Sequence, residues 1–222
     1  RHLPEDNPFL GERGIRFLMA RPERLKAQVE AICRVAAEGH AVKLMIPMVI
    51  DPSEIEAVRA IVAGVPGGDK VEVGIMVETP ASVLRIEGLA EAADFISIGT
   101  NDLVQYVLAV DRGNPRVAPL NDEFNPAVLT AVARVVEGAH AKGVHVGVCG
   151  DMASHAASAL ALLALGVDEL SASVTAIPEL KERFLPVSSK DLPRLREELL
   201  AAPDGPSARA AAEALLGEFA GE

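Results

Sequence analysis

The chain has 222 residues, of which 50% are hydrophobic and 3% aromatic, and it contains no tryptophan. Such a length can bury one sizeable core, and a core of Ala, Val, Leu and Ile suits helices packed on a parallel sheet, so one domain over residues 1–222 is expected. A formal net charge of −11 argues against nucleic acid as a partner, because the chain has no excess of basic residues to bind phosphates. No apolar run reaches membrane-spanning length, and two distant cysteines are typical of a reducing compartment. We therefore expect a cytoplasmic protein without nucleic-acid or membrane partners.

Five short apolar segments alternate with helical patterns along the chain. Each apolar segment predicts a buried strand, and prolines at first helical positions mark several helix starts. The predicted strands cover residues 43–49, 71–77, 95–98, 144–148 and 169–173. The main predicted helices cover residues 21–38, 54–63, 80–92, 127–142, 154–165, 177–184, 191–200 and 207–219. This βα repeat predicts an α/β fold with a parallel sheet, which is either an open doubly wound sheet or part of a (β/α)8 barrel.

Polar side chains follow three of the predicted strands. The second strand ends at Glu78, the third is followed by Asn101 and Asp102, and the fourth ends at Cys149. Arg112 comes ten residues after Asp102. Because the carboxyl ends of parallel strands lie on one face of a sheet, these side chains should converge. Two carboxylates there can bind Mg²⁺ together with water and substrate oxygens, and an arginine suits a forked anion such as carboxylate or phosphate.

Three of these residues also have a purely structural explanation. Asp102 could stabilise a helix start, Arg112 could form a surface ion pair, and Cys149 could be a buried structural thiol. However, Gly147 and Gly150 leave open space in front of Cys149. With carboxylates facing it and no basic neighbour in the sequence, the thiol should stay protonated, which suits proton donation to carbon better than nucleophilic attack.

Four segments of the chain have a recognisable form: NPFLGERGIR (7–16), GIMVETPAS (74–82), SIGTNDLVQYVLAVDRGN (97–114) and GVCGDMA (147–153). They resemble Enzyme I of the bacterial phosphoenolpyruvate:sugar phosphotransferase system, in its C-terminal phosphoenolpyruvate-binding barrel. The segments fall in the same order and span nearly the whole chain, and VDRGN (110–114) has the Enzyme I form. The related barrels of pyruvate phosphate dikinase and phosphoenolpyruvate synthase share the Thr-Asn-Asp and Cys-Gly elements and stay open as alternatives.

The resemblance implies a fold, a reaction and a role for six residues. The fold is a (β/α)8 TIM barrel, of which about five βα units are present. The reaction is Mg²⁺-dependent transfer of the phosphoryl group of phosphoenolpyruvate to a histidine and on to the phosphocarrier protein HPr, releasing pyruvate, for sugar uptake. The implied roles are Mg²⁺ coordination for Glu78 and Asp102, phosphoenolpyruvate binding for Asn101, Asp102, Arg112 and Arg13, and protonation of the enolate for Cys149.

The sequence departs from the family pattern in two respects. Asp151 stands where the family usually has Glu after Cys-Gly, so no role is assigned to it. The three βα units that precede NPFLG in the family, and the N-terminal phosphohistidine domain, are absent from the chain. A partial barrel has open strand edges, so we expect that the chain pairs with a second copy as a homodimer, closes irregularly, or is the ordered remnant of a longer chain. We expect no phosphotransfer by this chain alone. A non-catalytic dimerisation or ligand-sensing module is a third alternative.

Overall fold

Five parallel strands form a single sheet in the computed structural model, which describes residues 5–217. Their spatial order is the order in which they occur along the chain, β1-β2-β3-β4-β5. A doubly wound sheet reverses its strand order at a switch point, whereas a barrel adds its strands in sequence. The fold is therefore the partial (β/α) barrel that the resemblance implies. The strands are β1 Lys43–Ile46, β2 Glu72–Val77, β3 Phe95–Gly99, β4 His145–Cys149 and β5 Glu169–Ser171.

Eleven α-helices flank and follow the strands within the described residues. None of the helices between residues 5 and 217 is long and apolar enough to cross a lipid bilayer. They are α1 Gly14–Met19, α2 Pro22–Ala37, α3 Pro52–Ala63, α4 Pro80–Leu84, α5 Ile86–Ala92, α6 Thr100–Leu108, α7 Pro126–His140, α8 Ala156–Ala164, α9 Ile177–Phe184, α10 Leu192–Ala201 and α11 Gly205–Gly217. Short 3₁₀ turns cover Pro8–Leu10, Gly68–Lys70, Ala118–Leu120 and Asp151–Ser154.

The predicted helix 80–92 is wrong as one element, because the chain forms α4 and α5 with a break at Arg85. Arg85 has φ −108° and ψ 18°, outside the helical range, and its guanidinium forms an ion pair with Asp51. The predicted helix 154–165 begins later, at Ala156, after a 3₁₀ turn. The predicted end of the last helix at residue 219 lies outside the described residues.

The two faces of the sheet differ in chemistry, as the two-residue period of a strand requires. One set of alternate residues is apolar and buried in the core with the helices, and it includes Ile46, Val73, Ile75, Val77, Ile96, Ile98, Val146 and Val148. The opposite set is mixed, with polar and small side chains beside the larger apolar side chains of Met45, Met76 and Phe95. At the carboxyl ends of β3 and β4 this second face presents Ser97, Gly99 and Cys149, which places it beside the candidate site.

Candidate active site

The carboxyl ends of the strands surround a cavity of about 370 Å³. All six residues singled out from the sequence line it, although they come from five separate parts of the chain. The lining residues are Arg13, Gly14, Pro47, Met48, Met76, Glu78, Gly99, Asn101, Asp102, Arg112, Cys149 and Gly150. The sheet therefore brings two carboxylates, two guanidiniums, an amide and a thiol around one space.

Asp102 lies at the centre of the charged groups in this cavity. It occupies the first turn of α6 and is only 5% exposed. Its Oδ2 lies 2.7 Å from Nη2 of Arg13, and its Oδ1 lies 2.8 Å from Nη2 of Arg112. The alternative of a surface pair is wrong, because the shared carboxylate is buried. Since Nη1 of Arg112 is buried without a hydrogen-bond partner among the described residues, this arginine retains a donor for a ligand.

Two aromatic residues that the sequence reasoning missed hold the arginines in place. The ring of Phe9 lies 5.6 Å from Cζ of Arg13 and 5.3 Å from Cζ of Arg112, so both guanidiniums approach the same aromatic side chain. The Tyr106 hydroxyl accepts a hydrogen bond from Arg13 at 3.2 Å and donates one to the Phe9 carbonyl. Tyr106 lies four residues after Asp102 on α6, and this helical spacing was the signal that could have identified it.

Glu78 is buried beside Asp102 and has an unusual affinity for a proton. It is 4% exposed, and its Oε1 accepts a hydrogen bond of 2.6 Å from the Met48 amide. Burial raises the pKa of Glu78 from its usual 4.5 to about 7, and the negative charge of Asp102 adds to the increase, while the Met48 amide and Arg13 oppose it. A Cβ at Gly99 would lie 2.9 Å from Oε2 of Glu78, so glycine there leaves room for the carboxylate.

Cys149 ends β4 with its sulfur half-buried between β3 and the cavity. The Ser97 hydroxyl donates to its Sγ at 3.3 Å, and the thiol is oriented toward the Ile98 carbonyl at 3.7 Å. The next residue, Gly150, has φ +121°, and a Cβ there would lie 2.3 Å from Oγ1 of Thr100. The turn after Cys149 therefore requires glycine.

Asn101 is oriented by Asp151, the residue to which the sequence reasoning assigned no role. The Asn101 Nδ2 donates to Oδ2 of Asp151 at 3.2 Å, and the Asp151 amide donates to Oδ1 of Asn101 at 2.9 Å. These two contacts fix the plane of the Asn101 amide and leave one of its N–H groups for a ligand. Asp151 thus contributes by holding Asn101 and does not itself line the cavity.

The donor set in the cavity fits a hard divalent cation that keeps open coordination positions. Glu78 and Asp102 supply carboxylate oxygens, and the ion pair between Oδ1 of Asp102 and Arg112 lacks hydrogen-bond geometry, so this oxygen keeps its acceptor capacity. In the described part of the chain, no group of three or more His, Cys, Asp and Glu side chains is arranged to enclose a metal ion. Mg²⁺ suits such a site, because it is commonly held by one or two carboxylates with water and substrate phosphate oxygens completing the shell.

The fold and the cavity define a barrel-type domain in which two guanidiniums lie next to paired carboxylates. Residues 1–188 match the family described as PEP-utilising enzyme, PEP-binding domain, and the chain belongs to this family. PEP stands for phosphoenolpyruvate.

Curated relatives agree with this assignment and confirm the resemblance to phosphoenolpyruvate-protein phosphotransferases. The protein of that name from Buchnera aphidicola subsp. Baizongia pistaciae is 39% identical over 208 residues, which are 90% of this chain and 36% of the relative. The one from Bacillus subtilis is 38% identical, with 89% and 36% covered. A multiphosphoryl transfer protein from Xanthomonas campestris is 41% identical, with 88% and 24% covered. The chain thus spans between 24% and 36% of the length of these relatives.

A solved structure supports the fold alone. A citrate lyase from Burkholderia xenovorans superposes with a TM-score of 0.54 at 20% sequence identity, covering 87% of this chain and 68% of that chain.

Proposed function

We propose that this chain is the phosphoenolpyruvate-binding part of a phosphoenolpyruvate-protein phosphotransferase, with Mg²⁺ bound by Glu78 and Asp102. One observation carries the proposal: a buried carboxylate, Asp102, is shared by two arginines in a cavity that also holds Glu78 and Cys149. Similarity to relatives named phosphoenolpyruvate-protein phosphotransferase supports this reaction over that of a dikinase or a synthase.

In this proposal the two arginines bind the anionic groups of the substrate. Arg13 and Arg112 present planar guanidiniums at the cavity, and the partner-free Nη1 of Arg112 is a donor for a carboxylate or phosphate oxygen. The remaining N–H of Asn101 supplies a further neutral donor. Bound Mg²⁺ would supply positive charge that offsets the charge of the phosphoryl group during transfer.

Cys149 is proposed as the proton donor that completes the formation of pyruvate. When the phosphoryl group leaves the enol oxygen, an enolate remains, and a proton delivered to its C3 converts it to ketopyruvate. Cys149 lines the cavity, so its thiol lies beside the space that the substrate would occupy. A thiol in this position donates its proton without needing any covalent intermediate on sulfur.

The phosphoryl acceptor in the proposed reaction is a histidine outside this domain, and the phosphocarrier protein HPr receives the group next. This agrees with the cavity, since none of the histidines among the described residues lines it. The reaction is proposed to occur in the cytoplasm, where the two cysteines would stay as the free thiols that the structure contains.

Isothermal titration calorimetry of the chain with phosphoenolpyruvate in MgCl₂ tests the binding proposal. Arg112→Gln removes a guanidinium from the cavity and is expected to weaken binding at least tenfold, since a charged hydrogen bond contributes about 1.5–3 kcal/mol. The matched control is Arg134→Gln, because Arg134 is an exposed arginine that pairs with Glu87 away from the cavity. Equal affinity for both variants, or no binding by the unaltered chain at millimolar ligand, would contradict the proposal.

A deuterium-exchange experiment distinguishes a catalytic role of the chain from a ligand-sensing role. Incubation with pyruvate and Mg²⁺ in D₂O would exchange deuterium into the pyruvate methyl group if Cys149 transfers protons at C3. Binding without exchange would favour a ligand-sensing role over a catalytic one. Cys149→Ala is expected to abolish exchange while leaving phosphoenolpyruvate affinity nearly unchanged.

Self-association is also part of the proposal. The sheet of the described residues ends at β1 on one side and β5 on the other, and unpaired strand edges favour pairing with another chain. We expect a homodimer at micromolar concentration by sedimentation velocity, and a monomer at that concentration would contradict this.

A further inference from the structure

The hydroxyl of Ser97 makes a contact that the roles assigned above do not use. It donates a hydrogen bond to Sγ of Cys149 at 3.3 Å, across the junction of β3 and β4. In the strand register Ser97 pairs with Gly147 and Gly99 pairs with Cys149, so Ser97 and Cys149 are diagonal neighbours on the same face of the sheet. Neither glycine places a side chain between the hydroxyl and the sulfur.

The strength of this hydrogen bond depends on the protonation state of the sulfur. A thiol sulfur is a weak acceptor, whereas a thiolate carries a full negative charge and accepts strongly. The contact with Ser97 therefore contributes more after Cys149 has lost its proton than before. The thiol proton is meanwhile directed toward the Ile98 carbonyl, so the hydroxyl and this carbonyl together fix the orientation of the side chain.

We propose that Ser97 is the positioning residue for the proton donor Cys149, holding the thiol toward the cavity and stabilising the thiolate left behind by proton transfer. This inference rests on the proposed function. In the step, the S–H bond of Cys149 breaks and its proton joins C3. The C2–C3 π electrons form the new C–H bond, and the enolate oxygen becomes the ketone oxygen. Sulfur keeps the electron pair of the broken bond, and a proton from water later restores the thiol.

The charged groups around the Cys149 sulfur explain why a thiolate there needs the hydrogen bond from Ser97. The carboxylates that line the same cavity, Glu78 and Asp102, oppose a new negative charge there. The guanidiniums of Arg13 and Arg112 are both engaged with Asp102. These four groups are the same in every Ser97 variant, so a difference between variants reports the hydroxyl itself.

Alkylation of Cys149 by iodoacetamide across pH 6 to 10, followed by peptide mass spectrometry, tests the contact. Cys33 is fully buried in α2 and is distinguished by its own peptide. In Ser97→Ala the rate of alkylation of Cys149 is expected to fall about three- to tenfold at pH 7 to 8, because the hydroxyl no longer supports the thiolate. Ser97→Thr keeps a hydroxyl and is expected to restore the original rate.

Thr100→Val provides the matched control. The Thr100 hydroxyl donates to the backbone carbonyl of the same cysteine at 3.3 Å and does not contact its sulfur. This variant is expected to keep the original rate, with the fold of each variant checked by circular dichroism. A rate in Ser97→Ala that matches the unaltered chain, or equal losses of rate in Ser97→Ala and Thr100→Val, would overturn the proposal.

Deuterium exchange into pyruvate separates this inference from the proposed function. Exchange that falls about three- to tenfold in Ser97→Ala and recovers in Ser97→Thr supports the positioning role. Exchange that is present in the unaltered chain and unchanged in Ser97→Ala overturns the role of Ser97 while leaving the proposed function intact. Absence of exchange from the unaltered chain overturns Cys149 as proton donor, and with it the role of Ser97, whatever the alkylation profiles show.

Discussion

Replacing Glu78 by glutamine is expected to stabilise the metal-free protein at alkaline pH. Glutamine keeps a carbonyl oxygen that can accept the hydrogen bond of the Met48 amide, but it carries no charge to bury. The pKa of Glu78 is 4.5 in the unfolded chain and about 7 in the folded protein. Ionising this carboxyl therefore costs more in the folded protein than in the unfolded chain, so its ionisation lowers the free energy of unfolding. This difference in pKa lowers the free energy of unfolding by about 3 kcal/mol at a pH well above 7.

The sign of the pH dependence follows from which state binds the proton. Between pH 4.5 and 7 the folded protein keeps the proton of Glu78 while the unfolded chain releases it, so stability falls as pH rises through this window. Glu78→Gln removes that loss. We expect the free energy of unfolding of Glu78→Gln to exceed that of the unaltered chain by about 3 kcal/mol at pH 8, and by less than about 1 kcal/mol at pH 5.

Urea denaturation in EDTA at pH 5 and pH 8 measures this difference. Glu72→Gln serves as the control, because Glu72 lies on the same strand but is exposed and forms a surface ion pair of 2.7 Å with Lys43. Its replacement is expected to change stability by no more than about 1 kcal/mol at either pH. If Glu78→Gln is no more stable than the unaltered chain at pH 8, the argument from burial of this carboxylate is wrong.

Three further predictions concern the same cavity. Mg²⁺ should bind more tightly at pH 8 than at pH 6, by calorimetry in two buffers, because Glu78 must release its proton to coordinate metal; equal affinity at both pH values would contradict this. Gly150→Ala should destabilise the chain by about 1–3 kcal/mol in thermal unfolding, since its φ of +121° and the nearby Thr100 hydroxyl both oppose a side chain, and Gly143→Ala, with positive φ but no neighbour within 4 Å, should cost less. Tyr106→Phe should cost about 1 kcal/mol in urea denaturation and weaken phosphoenolpyruvate binding severalfold, because Arg13 loses a partner; unchanged affinity would show that Tyr106 does not position it.

The positions of the strands could be predicted from the sequence because each is a short apolar run bounded by turn signals. The strand pattern alone left the choice between a doubly wound sheet and a barrel open, since that choice depends on which strands pair, and only the family resemblance pointed to the barrel. The break at Arg85 was also invisible, because arginine is a good helix former and its partner Asp51 lies 34 residues earlier.

The same division holds for the candidate site. Glu78, Asp102 and Cys149 could be identified because parallel strands place their carboxyl ends together. The pairing of Arg13 with Asp102 joins residues 89 positions apart, and only the family resemblance pointed to it. Phe9 could not be identified, because a phenylalanine in a short 3₁₀ turn carries no polar signal for its contact with two guanidiniums.

The shared carboxylate also links the two ligands that the proposed function requires. Both oxygens of Asp102 are within ion-pair distance of a guanidinium, so a metal ion must compete with Arg13 and Arg112 for them. A phosphate or carboxylate group competes for the same guanidiniums from the other side. When Mg²⁺ binds Asp102, it releases the guanidiniums for the anion, and when the anion binds the guanidiniums, it releases Asp102 for Mg²⁺. By thermodynamic linkage, each ligand therefore increases the affinity for the other. The arginine pair thus keeps a buried carboxylate compensated without ligands and couples the binding of Mg²⁺ to that of phosphoenolpyruvate.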